Sequence, residues 1–216
     1  MDEVDPAALG DIAYGIFENL LHRDLRASGR SLYRLVEDVT DISADLARVF
    51  DVLREDYPPL ADALIERFGT VDAILEAVRA GEGVVPTKTT QMYWIVEDAP
   101  SVRPDAVDDE LAGKWLVFLP ADEVDALWRR VRNATAAGEL GISAKVSTAK
   151  PNPDARDDRY VVYVYTADWQ DEPEVMRVRE ALRALGVADR IGYKRNLETF
   201  RGEYSKKGKR VTYYSA

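Results

Sequence analysis

Residues 159–166 read RYVVYVYT, and the way this run is folded decides the class of the whole C-terminal half. β-branched and aromatic residues dominate it, so it reads as a strand. Side chains alternate along a strand, which puts Val162 and Val164 on one face and Tyr163 and Tyr165 on the other. Moving upstream, Ala149–Asp158 is a loop carrying two prolines. Ile142–Thr148 is a second strand, with Ile142, Ala144 and Val146 alternating against Ser143, Lys145 and Ser147. Before it, Asp122–Ala136 carries Val124, Leu127, Trp128 and Val131 at helical spacing and closes at Gly138, and Lys114–Leu119 is another strand. Downstream, Glu172–Leu185 turns Val175, Val178, Leu182 and Leu185 inward and ends at Gly186; Asp168 and Asp171 suit its cap. Arg190–Lys194 is the last strand. The order β-α-β-β-α-β describes a split βαβ sandwich, an α+β fold with both helices on one face of an antiparallel sheet.

The first 80 residues read as helices. Ile12, Ile16, Leu20 and Leu21 form one stripe, widened by Phe17 and Leu25, and Leu46, Val49, Phe50 and Leu53 form another behind Ser43 as N-cap. Pro58 and Pro59 interrupt the chain. Leu60, Leu64, Ile65 and Phe68 make a short helix ending at Gly69, and Thr70 caps a last one stopped by Gly81. The expected organisation is an acidic helical domain over 1–82, a linker with one strand (Gln91–Glu97) over 83–112, and an α+β domain over 113–216 that begins near 90. That strand and its loops could cover the second face of the sheet; otherwise the face is open or binds something.

Composition narrows the function. The chain has 216 residues, no cysteine and one histidine, His22, which excludes disulfides, thiolate catalysis, Cys-type zinc and multi-His metal sites. No metal and no cofactor is expected. No apolar run is long enough to span a membrane, and the start Met1-Asp2-Glu3 is not that of a signal peptide, so a cytoplasmic location is expected. The net charge is −10, with 39 acidic and 29 basic residues. Acid-rich, lysine-poor surfaces suit a cytosol of high salt, which points to a halophilic source. The charge is also uneven: residues 1–112 carry 24 acidic and 10 basic groups, whereas residues 113–216 carry 15 and 19. A net-positive half in so acidic a chain points to an anionic ligand, or to docking against the acidic half.

The runs Gly113-Lys114-Trp115, Gly138-Glu139-Leu140-Gly141, Ala144-Lys145-Val146-Ser147 and Val162-Tyr163-Val164-Tyr165-Thr166 carry a family resemblance. Asp168-Trp169, Leu182-Arg183-Ala184-Leu185-Gly186, Gly192-Tyr193-Lys194, Tyr204-Ser205-Lys206 and Tyr213-Tyr214 continue it in order. Together they resemble the basophilic-leukemia-expressed (Bles) family of eukaryotes and archaea, whose members bear the label phosphothreonine lyase domain-containing. The resemblance covers roughly residues 90–216. It implies a fold like that of the cap-binding translation initiation factor 4E, a curved antiparallel sheet backed by helices. It also implies that the loop Lys150–Arg159, with Arg156, lies where 4E-like proteins hold phosphates. The first half of that factor, with its cap-stacking tryptophans, has no counterpart here; Trp94 is the one tryptophan in a comparable region.

Candidate ligand-binding residues follow from both readings. Lys145 sits mid-strand among small residues, where an ammonium needs an anion or water. Lys194 and Arg195 follow Gly192-Tyr193, and Arg156 lies in the implied phosphate loop. Tyr163, Tyr165 and Trp169 could stack on a base, as rings interleaved with cations do on an open sheet. Lys114 reads as a strand-flanking lysine, and Trp115 and Trp128 as core. Each lysine also fits a solvated surface role. The basic run Lys206, Lys207, Lys209 and Arg210 fits a solvated tail or nucleic-acid contact. A lyase would need a base, for which Lys145 is the candidate, and an acid, which in the bacterial lyases is a histidine absent from residues 90–216. The favoured expectation is therefore non-catalytic binding of a nucleotide or RNA end. A phosphate-handling enzyme and a protein-interaction module working through the acidic helices are the alternatives.

Overall fold

The computed structural model describes residues 6–100, 102, 107–153, 157–200 and 212–216. Contacts divide the chain into two units, Met1–Tyr93 with Thr148–Pro153, and Trp94–Ser147 with Asp154–Ala216. Arg156 and the run from Lys206 to Arg210 lie outside the described residues.

The first unit is helical: α1 (Pro6–Ala27), α2 (Leu32–Glu37), α3 (Ser43–Asp56), α4 (Pro58–Phe68) and α5 (Val71–Ala80), followed by a 3₁₀ turn at Pro86–Lys88. α1 turns Phe17, Leu21 and Leu25 into the core and leaves Ile12 about half exposed. Two apolar stripes overlap on this helix, and the i, i+4 line containing the aromatic ring is the one buried, a rotation from the stripe expected through Ile12 and Ile16. Ser43 is not a cap but the first helical residue, its backbone N–H donating to Asp41 Oδ1 at 3.0 Å. Pro58 and Pro59 open α4, where a missing N–H costs nothing. Thr70 does cap α5, accepting from the Ala73 N–H at 3.1 Å. Residues 82–91 close on this unit rather than forming a bare linker: the buried Glu82 carboxylate accepts from the N–H and hydroxyl of Thr90 and from the Gln91 N–H. Residues 148–153 join it too, through Ala149 N–H to Pro86 O and an ion pair between Lys150 and Asp11.

The second unit holds β1 (Trp94–Asp98), β2 (Gly113–Leu119), α6 (Ala121–Ala136), β3 (Ser143–Ser147), β4 (Tyr160–Thr166), α7 (Glu172–Ala184), β5 (Gly192–Arg195), α8 (Asn196–Phe200) and β6 (Tyr214–Ser215). The strands form one open sheet in the order β1-β3-β4-β2-β5-β6, antiparallel at every pairing. Its inner four strands keep the split βαβ order. β1 does not cover the sheet; it pairs with β3 at the edge, Val96 opposite Lys145. Trp115, Val117, Val146, Val162 and Val164 pack from the sheet against Val124, Trp128 and Val131 of α6 and Val175, Val178 and Leu182 of α7. Each such side chain stabilises by about 1.5–3 kcal/mol when fully buried. The Trp115 indole N–H donates to Val175 O at 3.0 Å, and Asp171 caps α7 through the Glu174 N–H.

One close approach fixes where β5 lies. Gly113 leaves room for the buried Tyr193 ring, whose hydroxyl would stand 2.2 Å from a Cβ at that position. Tyr193 instead shares a 2.6 Å hydrogen bond with the Thr166 hydroxyl, tying β5 to β4 across β2. With β5 so placed, Lys194 comes directly opposite Lys114.

Candidate ligand-binding face

Alternation sends Trp115 and its neighbours toward the helices and turns the intervening residues to the other side of the sheet. That side carries Trp94 and Val96 of β1, Ser143 and Lys145 of β3, Tyr163 and Tyr165 of β4, Lys114, Leu116 and Phe118 of β2, and Lys194 of β5. Val96 and Phe118 on it are 47% and 49% exposed, so the face is partly open. Register then gathers the cations. Lys145 lies opposite Tyr163, while Tyr165 lies between Ser143 and Lys114, and Lys114 faces Lys194.

The rings and ammonium groups interleave closely. Lys145 Nζ stands 4.2 Å from the Trp94 ring centre, 5.4 Å from Tyr163 and 5.8 Å from Tyr165. Lys114 Nζ lies 5.4 and 5.2 Å from the same two tyrosines and donates to Asn196 Oδ1 at 2.9 Å. Trp94 stacks on Tyr163 at 5.3 Å, and Tyr163 meets Tyr165 edge-on. Such cation–π contacts contribute about 0.5–2 kcal/mol each, more as water is excluded.

Electrostatics at this cluster are set by burial and by like charge. Burial, then the charges of Lys145 and Lys194, lower Lys114 to about 8 against the partial opposition of Asp109 and Glu198. Burial alone lowers Lys145. The Tyr165 phenol is pushed up by burial, with Tyr163 and Asp109 adding to it, so it stays protonated and can donate.

A cleft of about 410 Å³ opens beside the cluster, lined by Asp98, Ser143, Lys145, Tyr165 and Asn196 together with Asp109 and apolar Val102, Val107, Ala112 and Ile142. Its volume suits a small organic ligand. A lysine and two carboxylates in one cleft suit a ligand that presents both an anion and N–H donors. Among the described residues no group of three His, Cys, Asp or Glu side chains could hold a metal ion.

The other expected site residues lie elsewhere. Arg195 follows the phase of the buried Tyr193, and Trp169 packs against the helix-side core, so both belong to the opposite side of the sheet from Lys145. There the Arg195 guanidinium sits 4.7 Å from the Trp169 ring and 4.6 Å from Tyr213, and its Nε donates to Glu198 Oε1 at 2.5 Å. Sequence reasoning gave little weight to Lys114 and none to Asn196, Asp98 and Asp109 at the cleft. The alternation of Lys114 with Trp115 was the available signal, but only the register shows that Lys114 meets Lys194 and Tyr165.

The family model described as Basophilic leukemia-expressed protein Bles03 matches residues 106–200, which contain β2 to β5 and most of the cluster. This segment is similar to the Bles03 family. Solved structures similar to the chain come from translation initiation factors. They include Caenorhabditis elegans eIF4E-3 in complex with the 4E-binding protein Mextli and a cap analogue, 16% identical with a TM-score of 0.41 over 57% of this chain and 68% of that one. Schistosome eIF4E with m7GpppA and 4E-BP is 16% identical, TM-score 0.40, covering 53% and 65%. Ascaris suum eIF4E-3 with an m2,2,7G cap is 20% identical, TM-score 0.36, covering 54% and 64%. The chain thus spans about two thirds of the length of each. Trp94 and the cleft residues Asp98 and Val102 precede the segment that the Bles03 model matches, so part of the face is built from chain outside it.

Proposed function

We propose that the face formed by Trp94, Lys114, Lys145, Tyr163, Tyr165 and Lys194 binds an anionic planar ligand, a nucleotide or the end of an RNA, without transforming it. The observation that carries this reading is the strand register that brings Lys114 and Lys145 to Tyr163 and Tyr165, with Lys194 opposite Lys114, beside a cleft. The charges of Lys145 and Lys194 lower the proton affinity of Lys114, and a phosphate relieves that cost. Rings beside the cations give a base a stacking surface, and Asp109 and Asp98 in the cleft can accept from its N–H edge. A cytoplasm of high salt fits the acid-rich composition and would leave short-range bonds and stacking to hold the ligand.

The test is ultraviolet crosslinking and sequencing of RNA bound in cells, wild type beside the Lys145→Ala, Lys194→Ala double variant. Enrichment of RNA ends that vanishes in the variant supports the reading, and no enrichment over background sinks it. A second reading, a phosphate-handling enzyme with a lysine base, draws on the lowered proton affinity of Lys114 and Lys145. It requires time-dependent release of phosphate from a phosphothreonine peptide.

A further inference from the structure

We propose that Lys145 is a carbonyl-reactive amine, and that the cleft beside it takes a planar aldehyde or ketone as a Schiff base. This goes beyond reversible anion binding and does not depend on it. Imine formation needs an amine that loses its proton easily, a route for the carbonyl compound, an apolar wall for the flat product and a proton donor. Lys145 lines the cleft of about 410 Å³, which provides the route. Trp94, Tyr163 and Tyr165 surround its Nζ at 4.2–5.8 Å and provide the wall. The charged groups around it are Lys114 of β2, with Lys194 of β5 beyond it, and the carboxylates of Asp98 and Asp109 that line the same cleft. Burial favours the neutral amine; the ring faces favour the ammonium and oppose it. A desolvated lysine next to another cation is the arrangement that activates amines as nucleophiles.

The step balances without a redox partner. The Nζ lone pair attacks the carbonyl carbon, the carbonyl π pair moves to oxygen, and that oxygen takes the proton leaving nitrogen. The carbinolamine then expels its hydroxyl, which takes a proton from a donor and leaves as water while the nitrogen pair closes the C=N bond, and the remaining N–H proton of the iminium returns to that donor. Tyr165, on the cleft wall and held protonated by burial, is the group placed to supply that proton.

The full chain would be exposed to pyridoxal 5′-phosphate and, separately, to the phosphate-free pyridine-4-carboxaldehyde. Borohydride would fix the imines, and peptide mass mapping would follow each lysine over time near pH 7.5. Lys88 is the internal standard, being exposed in the first unit. The expected result is that Lys145 is labelled faster than Lys88 by both aldehydes, by about tenfold for each unit of lowered proton affinity. Lys114→Met should slow the labelling of Lys145, and Tyr165→Phe should slow it without altering unfolding by urea. Labelling that tracks exposure, with Lys88 ahead of Lys145 for both aldehydes, overturns the proposal whatever nucleotides do. Labelling of Lys145 by the phosphate-bearing aldehyde alone also overturns it, since that would report anion capture rather than amine reactivity.

Discussion

Raising the pH should stabilise the second unit before destabilising it, and Lys114 sets the rise. Lys114 is buried, only 7% exposed, and sits beside two other lysines, so its folded pKa lies at about 8, below the ordinary 10.5. Below about pH 8 the lysine is charged in both states, and the folded state bears the whole cost of burying it. Between about pH 8 and 10.5 the unfolded chain holds more protons, and stability therefore rises with pH. The full shift corresponds to about 3 kcal/mol, of which about 2 kcal/mol should appear between about pH 7 and pH 10 once solvent screening is allowed for. Burial of Lys145 adds in the same direction. Above about pH 10 the sign reverses, because buried Tyr193 is pushed up to about 12 and the unfolded chain loses its phenol protons first. The assay is urea unfolding followed by tryptophan fluorescence, since Trp94, Trp115, Trp128 and Trp169 all lie in the second unit. Wild type should peak near pH 10, and Lys114→Met should flatten the rise while being at least as stable near pH 7. A wild-type profile that is flat or falling from about pH 7 to pH 10, or a Lys114→Met profile that rises as steeply as wild type, would refute the reasoning.

Binding of a phosphate-bearing ligand beside Lys114 should draw in about half a proton near pH 8, because the anion restores the lysine's proton affinity. Calorimetry in buffers of different ionisation heats measures this directly, and uptake of no proton would contradict the placement of the anion. Gly113→Ala should destabilise the second unit by about 3 kcal/mol, since its Cβ would fall 2.2 Å from Tyr193 Oη and 2.5 Å from Cζ. Gly15→Ala has nothing within 4 Å and lies within α1, so it should stabilise the first unit by about 0.5–1 kcal/mol, read by far-ultraviolet dichroism during unfolding.

The strands of the second unit were legible because their apolar residues alternate against polar ones, as Val162 and Val164 do against Tyr163 and Tyr165. Its helices were legible because Val124, Leu127, Trp128 and Val131 recur at helical spacing. What alternation cannot show is which strands are neighbours. That Lys114 meets Lys194, or that Trp94 comes within reach of Lys145, follows from a strand order imposed by tertiary packing, with Gly113 making room for Tyr193. The same limit explains Arg195, whose sequence neighbour Lys194 is on the cationic face while Arg195 itself is one residue out of phase and lies on the other side. α1 shows a different ambiguity, because Ile12 and Ile16 compete with Phe17, Leu21 and Leu25 for the core and only packing against α3 and α4 decides. The loop after β3 reads as one element in the sequence, yet residues 148–153 close on the helical unit through Lys150 and Asp11, a contact 139 positions apart that no local pattern announces.

The most direct test of the cationic, aromatic face is a binding titration of one short RNA carrying either a 5′-phosphate or a 5′-hydroxyl, against wild type and Lys114→Met, Lys145→Met. Each charge-assisted hydrogen bond contributes about 1.5–3 kcal/mol, so the phosphorylated RNA should bind wild type at least about tenfold more tightly. The double variant, shown to be folded by its unfolding curve, should lose that preference. Equal affinity of wild type for the two RNAs, or a preference that survives in the variant, would contradict the assignment of this face as the ligand site.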